Sequence, residues 1–500
     1  MSGIEINGYS VDFVFLTSSM LLVVSVLASK VSSKIGVPAL LMFLGIGMLS
    51  GVEGPGGIDF DNYPLSAAVG SICLAIIMFD GGLRTLWQSV RPVLALGASL
   101  SFLGTVITGV VAGLFARYAL GLTWLEGMIL GSIVSSTDAA AVFGILRARR
   151  LSLKEELKQA LEFEAASNDP VAVFLTVGFL SIATGAMGGE GVVGQFSLFF
   201  IVQAGLGFFF GWFGAKVIRR IVNHVDIEFE GLYGVLFVGL GVCLFAATSW
   251  AGGSGFLAVY MAGIVLGNTE LLHKGSITRF LDGVAWLAQI LVFLTLGLLV
   301  TPTHLIEVWK DGVLLSLFLM FVARPVSVFA ATSFFKLPMN ERLFISWVGL
   351  RGVAPVILAT LPWSVGLEKA EHFFSLVFFV VLTSVVAQGI SIPVIAKKLG
   401  VTEPLHEGHV REFAGGMLPV GFILVEIIVG KDSEADQRRI VELPLPSGVL
   451  LTSIERAERY LIPRGDTLVF AGDRIFGLAR PSNLAELGRI FGKAREVASV

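Results

Sequence analysis

Two runs of polar residues interrupt segments that would otherwise be apolar from end to end. The first is Ser135-Ser136-Thr137-Asp138, in the middle of a stretch over 124–146. The second is Gly349-Leu350-Arg351-Gly352-Val353-Ala354-Pro355, with one charge, two glycines and a proline inside a stretch over 341–362. Between them in the chain stands Glu162-Phe163-Glu164-Ala165-Ala166-Ser167-Asn168-Asp169-Pro170. Asp169, Asp138, Thr137 and Asn168, whose amide offers both a donor and a carbonyl oxygen, can supply the oxygen ligands that a hard monovalent cation wants. Pro170 removes one backbone donor and frees a carbonyl upstream. Desolvation disfavours a charged carboxylate, so one group in such surroundings can hold a proton or a cation, but not both. Competition of that kind is enough to couple two fluxes.

Arg324 and Arg351 also fall inside apolar stretches. Arginine does not deprotonate and must be paired when buried. The acids available are Glu164 and Asp138, and the plain reading of each arginine is a structural ion pair. Glu162 stands toward the inner end of its stretch, where it serves equally well as a surface acid or in a cation funnel. Asp80, in Phe79-Asp80-Gly81-Gly82-Leu83-Arg84, is open in the same way: it either draws cations to a cytoplasmic funnel or caps a helix.

The elements that carry these residues belong in a membrane. Hydrophobic residues make up 55% of the chain and charged residues 15%. A soluble domain carries about 25% charged residues. Stretches such as 11–29, 92–116, 229–249 and 372–396 reach about the 20 residues that a helix needs to cross a bilayer. Thirteen such spans are expected: near 11–29, 37–52, 64–80, 92–116, 124–146, 160–183, 195–218, 229–249, 252–269, 279–300, 311–334, 341–362 and 372–396. With the N-terminus outside, eighteen Lys and Arg fall in the inner connections, against only Arg117, Lys310 and Lys369 in the outer ones. Basic short loops mark the cytoplasmic side, so the expected topology is N-out and C-in. The first apolar stretch lacks a basic leader and reads as a span, not a cleaved signal. Cys73 and Cys243 lie in apolar stretches and read as small buried hydrophobes. The near-neutral charge gives no reason to expect nucleic acid as a partner.

Irregular backbone survives in a bilayer only where it lines a cavity within the protein. Spans 1–6 begin outside and spans 8–13 inside, so the halves are expected to be inverted repeats with the breaks in the fifth span of each. Paired interruptions at matched positions point to an ion site near the midplane. Beyond Lys398 the character changes. After a linker over 399–412, residues 413–500 are charged, with short alternating stretches punctuated by Pro444, Pro446, Gly448, Pro463, Gly465 and Gly472. The fold class expected is thus an all-α polytopic membrane protein over 10–398, with a small cytosolic α+β domain.

Taken together, Thr137-Asp138 in the break, Glu164 five residues before Asp169, the Asn168-Asp169 pair, Arg324 and the Gly-Leu-Arg-Gly run ending at Gly352 resemble the monovalent cation/proton antiporter superfamily. The resemblance is to its NhaP-type, sodium/proton-exchanger-like branch, and it covers about residues 10–398. It implies that Asp169 binds ion and proton, that Asn168 and Thr137 shape the site, and that Glu164 pairs with Arg324. It implies further that Asp138 pairs with Arg351 to hold two crossed, discontinuous helices together. Family members are homodimers whose core moves against a dimerisation domain like an elevator. Ala165 departs from the pattern, since many relatives carry an ion-coordinating serine there. In the tail, Ile462-Pro463-Arg464-Gly465-Asp466-Thr467 and Ala471-Gly472-Asp473-Arg474-Ile475 resemble the C-terminal subdomain of RCK regulators (TrkA-C-like), which implies a small cytosolic ligand such as a nucleotide. With this tail the chain resembles bacterial potassium/proton antiporters of the inner membrane more than sodium-only ones, although the residue spacing does not separate K⁺ from Na⁺. No resident cofactor or metal is expected beyond the transported ions.

Two other classes share features with this sequence. Gly252-Gly253-Ser254-Gly255 matches the pattern of an intramembrane serine protease, but such a serine needs a histidine base within hydrogen-bond reach, and the six histidines all fall in loops, at span ends or in the tail. Ser254 reads as a loop residue. A cation channel would need a continuous pore and ordinarily no inverted pair of broken helices.

Overall fold

A computed structural model of the chain describes residues 5–6, 9–35, 39–60, 62–149, 151–404, 423–431, 433–456 and 459–496. The chain forms two compact units, Met1–Leu405 and His406–Val500. Residues 405–412 of the expected linker and 413–422 of the expected tail domain lie outside the described residues.

The first unit is built of helices. Among the described residues nine are long and apolar enough to cross a membrane. They are α1 (Val11–Ile35), α3 (Tyr63–Arg84), α4 (the run Trp87–Ala119), α7 (Glu155–Ala183), α8 (Val192–His224), α9 (Gly231–Trp250), α11 (Lys274–Leu299), α12 (the run Trp309–Ala331) and α15 (Ala370–Lys398). The other four expected spans take shorter forms. Helices α2 (Ala39–Ser50) and α10 (Gly255–Gly267) have 12 and 13 residues, well below the ~20 of a full crossing. The expected span at 124–146 divides into α5 (Trp124–Ile133) and α6 (Ala139–Ala148), and that at 341–362 into α13 (Met339–Trp347) and α14 (Val353–Leu358).

Local chemistry sets several of these ends. Thr123 and Glu126 form a reciprocal capping box that opens α5. Ser254 accepts from the Leu257 amide at 3.2 Å and opens α10 after Gly252, whose φ of +82° suits glycine. Ser254 is therefore a buried helix cap rather than a loop residue. The run of α12 contains a π-helical turn at Leu319–Ala323, immediately before Arg324. Cys73 is buried, whereas Cys243 is exposed, against expectation, on α9.

Glycines let certain helix pairs meet backbone to backbone. A methyl group on Gly47 of α2 would lie 2.6 Å from the Leu294 carbonyl oxygen of α11, and one on Gly297 would lie 2.5 Å from that of Leu44. The same holds for Gly263 of α10 against the Phe79 carbonyl of α3 at 2.5 Å, and for Gly211 of α8 against that of Ala258 at 2.7 Å. Gly127 of α5 meets the Gly113 carbonyl of α4 at 2.6 Å.

A two-stranded ladder closes one end of this unit. Strand β1 (Leu151–Leu153), between α6 and α7, runs antiparallel to β2 (Thr402–Pro404), which follows α15. The Lys154 amide donates to Val401 at 3.2 Å, and Asn340 Nδ2 to Leu399 at 2.9 Å.

The second unit is α+β. Its five-stranded antiparallel sheet has the order β5 (Arg459–Leu461), β4 (Leu450–Arg456), β6 (Arg474–Ala479), β3 (Ile423–Val429), β7 (Gly492–Glu496), and helix α16 (Leu484–Phe491) completes the unit. Val425, Ile427, Ile454, Ile475, Leu487 and Phe491 form its core. The buried Asp473 holds Arg456 in a bidentate pair at 2.8 and 2.7 Å, and Arg474 lies on the buried Glu426 at 2.6 Å. These hydrogen-bonded carboxylates push both guanidiniums above their ordinary range.

Candidate functional site

The first interruption spans Val134 to Asp138 and the second Val348 to Gly352, and the two touch. The Asp138 amide donates to the Leu350 carbonyl at 2.8 Å. Arg351 Nη1 donates to the carbonyls of Ser135 at 3.0 Å and Ser136 at 2.7 Å. Asp138 Oδ1 accepts from the amides of Ala140 at 2.9 Å and Ala141 at 3.3 Å. Its other oxygen lies against Gly352, where any side chain would collide with it.

Helix ends explain the pattern. Past the C-terminal end of α5 the carbonyls of Ser135 and Ser136 have no helical partner, and the guanidinium takes them. The N-terminal end of α6 presents free amides and partial positive charge, and the carboxylate closes that. This corrects the Asp138–Arg351 ion pair that the resemblance implies: the hydrogen bonds of both side chains go to backbone ends, not to each other.

The Glu164–Arg324 pair is present. Arg324 Nη1 lies 2.6 Å from Glu164 Oε1, and the side chains are 3% and 2% exposed. Gly349 keeps the crossing open for this arginine, since a Cβ there would lie 3.1 Å from Arg324 Cγ. Two residues of α15 satisfy the second break. Ser384 Oγ accepts from the Arg351 amide at 3.2 Å and donates to Gln388 Oε1 at 2.7 Å, while Gln388 Nε2 donates to the Trp347 carbonyl at 2.8 Å.

Asp169 and Asn168 face the first break from α7. Asn168 Nδ2 donates to Thr137 Oγ1 at 2.7 Å and to the Thr137 carbonyl at 3.2 Å. Ser136 Oγ donates to Asp169 Oδ1 and lies 3.4 Å from Asn168 Oδ1. Among the described residues this hydroxyl is the only hydrogen-bond partner of the Asp169 carboxylate, and no basic side chain pairs with it. Asn168 and Thr137 are buried, whereas Asp169 is partly accessible. One residue before Asn168, Ser167 Oγ lies 3.0 Å from the buried Tyr260 hydroxyl of α10.

Two expected residues stand apart. Glu162 is exposed, nearly two turns before Asp169. Asp80 is neither a helix cap nor a free carboxylate. Arg84 Nε donates to its Oδ2 at 2.8 Å, and the same guanidinium reaches Asp282 of α11. An arginine shared by two acids clasps α3 to α11, and Asp80 is held in that clasp. Four residues of this neighbourhood went unassigned in the sequence: Ser136, Tyr260, Ser384 and Gln388. Ser136 stood in the polar run, and Ser384 and Gln388 share a helix face at i, i+4. Tyr260 carried no signal.

Residues 19–398 match the family profile described as sodium/hydrogen exchanger, transmembrane, and residues 424–492 match the TrkA-C domain. The K(+)/H(+) antiporter NhaP2 of Shewanella sp. (strain MR-4) is 39% identical over 503 aligned positions, covering 98% of this chain and 85% of its own length. The K(+)/H(+) antiporter NhaP of Alkalimonas amylolytica is 35% identical, with 97% and 84% covered. Among solved structures, the sodium proton antiporter MjNhaP1 from Methanocaldococcus jannaschii at pH 8 superposes with a TM-score of 0.66, covering 76% of this chain and 97% of its own. At 23% identity that likeness is one of fold.

Proposed function

The chain belongs to the sodium/hydrogen exchanger family, as an NhaP-type member with a TrkA-C tail, and on that premise we propose that it exchanges K⁺ for H⁺ by competition at Asp169. One observation carries the assignment. Of the carboxylates around the crossing, Glu164 is occupied by Arg324 and Asp138 by the amides that open α6, while among the described residues Asp169 meets only a neutral hydroxyl. It is the acid left to take either a proton or a cation. Asn168 and Thr137 shape its surroundings, and Asp138 and Arg351 hold the broken ends in place. The potassium preference rests on the names of the K(+)/H(+) relatives.

In this reading the nine long helices, the two short ones and the two interrupted pairs are thirteen spans in inverted repeats. The N-terminus is outside and the tail in the cytoplasm of a bacterial inner membrane. The protein works as a homodimer with an elevator-type core, and the TrkA-C-like unit regulates it, taking a small cytosolic ligand such as a nucleotide. Glu162 is an inner-side acid that lends the approach a negative charge.

The test is reconstitution in proteoliposomes loaded with a pH dye. A K⁺ pulse is expected to drive proton movement more strongly than Na⁺ or Li⁺. A larger response to Na⁺ or Li⁺ makes the chain a sodium/proton antiporter of the same fold. No cation-dependent proton movement in well-folded protein removes the proposal.

A further inference from the structure

We propose that the Ser136 hydroxyl is a direct ligand of the transported cation and a determinant of which cation is accepted. The inference rests on Asp169 as the exchanging carboxylate.

Serine and threonine hydroxyls inside helices usually return their hydrogen to a carbonyl three or four residues back. The neighbours of Ser136 do so: Ser132 donates to Met128 at 2.7 Å, Ser135 to Ser132 at 2.7 Å and Thr108 to Gly104 at 2.7 Å. Ser136 does not, because it lies past the turn at 134–135 that still lets Ser135 reach back, where the backbone is no longer helical. That hydroxyl, on a residue 1% exposed, turns across to α7 and meets the Asp169 carboxylate.

The surrounding groups let it change roles. A hydroxyl carries one hydrogen and two lone pairs. With no cation bound, the hydrogen goes to Asp169. With a cation on the carboxylate, the lone pairs face the ion and the hydrogen needs another acceptor. Asn168 Oδ1 stands 3.4 Å away, and the donor end of the same amide is pinned on Thr137. The amide is thereby oriented to receive the hydrogen when the cation arrives. Position 165 lies one turn before Asp169 on the same helix face, and Ala165 offers no oxygen there. The ligand that α7 lacks is supplied from the facing break.

The experiment measures exchange by the full-length protein in proteoliposomes with K⁺, Na⁺ and Tl⁺. Ser136→Ala should raise the apparent KM for K⁺ roughly tenfold, with a smaller change in maximal rate. Ser136→Thr, which keeps the oxygen, should stay near wild type. Ser136→Ala combined with Ala165→Ser should recover most of the affinity. Ser136→Cys should shift preference from K⁺ toward Tl⁺, because a thiol favours a softer ion; a purely structural role would leave that ratio unmoved. Wild-type K⁺ affinity in Ser136→Ala, or an unchanged K⁺/Tl⁺ ratio in Ser136→Cys, overturns the inference. Asp169→Asn is the control for the premise. If it still exchanges, the reading of Asp169 fails; if it is inactive while the Ser136 variants are unaltered, only the present inference fails.

Discussion

Arg351 Nη1 lies 2.7 Å from the Ser136 carbonyl oxygen, so the guanidinium of one interrupted segment holds a backbone carbonyl in the break of the other. An ion pair and a satisfied backbone break respond differently to mutation. Arg351→Ala should lose about 3 kcal/mol of stability, two charged hydrogen bonds at roughly 1.5 kcal/mol each. Adding Asp138→Asn should bring no recovery, since the two charges serve different ends. Recovery in thermal melts of the double variant would restore the ion-pair description.

Glu164 and Arg324 should behave in the opposite way. Each is nearly inaccessible and each is the other's counter-charge. Removing one strands a buried charge at about 3–5 kcal/mol. Each single Ala variant should melt early, and the double variant should regain part of the loss. Strictly additive losses in the double-mutant cycle would mean that the two are not energetically coupled.

Asp169→Asn should abolish exchange without loss of folding or membrane insertion, because Asn keeps the volume but cannot trade a proton for a cation. The check pairs a pH-dye assay with size-exclusion of the solubilised variant. Near-normal flux would remove Asp169 from the cycle.

What the sequence made legible follows from the solvent. Lipid leaves unpaired backbone nothing to bond to, so the polar runs at 135–138 and 349–355 stand out, and the structure breaks its helices there. Glu164 and Arg324 could be matched because both are full charges inside apolar stretches. The partners of Asp138 and Arg351 could not, because they are partial charges on peptide groups and exist only once the helices end. Ser384 and Gln388 were hidden as isolated polar residues in an apolar span. The β1–β2 ladder was hidden because strands of three residues, far apart in the chain, carry no periodicity. Helices α2 and α10 fall short of the expected spans at 37–52 and 252–269 because Gly-rich and polar residues flank their apolar stretches.

That ladder sets where the tail can be removed. A cut after Gly400 takes away β2 and the Val401 carbonyl that accepts from Lys154. A cut after Pro404 leaves both. The longer protein should melt near the full-length value and keep exchange with altered activation, while the shorter should melt lower. Loss of exchange in a well-folded protein ending at Pro404 would make the tail part of transport itself.

Exchange should be electroneutral, one proton for one cation. Asn168 is neutral where a second carboxylate would titrate, and Asp138 and Glu164 are committed to the α6 amides and to Arg324. With one exchanging carboxylate, each half-cycle carries a single positive charge. Recording on a solid-supported membrane should find no net current on a K⁺ or Na⁺ pulse, and a potential set by a gradient of a permeant anion, with K⁺ and Na⁺ equal on both sides, should not drive exchange. A potential that alone drives exchange requires a second titrating group, with Glu162 the first to mutate.

The glycine contacts divide the helices mechanically. Two helices whose backbones touch are geared, because any slide must lift one ridge of carbonyls over another. The geared pairs are α2 with α11, α3 with α10 and α8 with α10 on one side, and α4 with α5 on the other. Where the first group meets the helices of the site, the contact is through yielding side chains instead: Phe196 of α8 over Gly178 of α7, and Ile357 of α14 over Gly70 of α3. Aromatic and aliphatic side chains can change rotamer and re-seat; carbonyls cannot. If the core moves as proposed above, a displacement that carries Asp169 along the membrane normal would re-seat side chains rather than carbonyls at these two contacts between α8 and α7 and between α14 and α3.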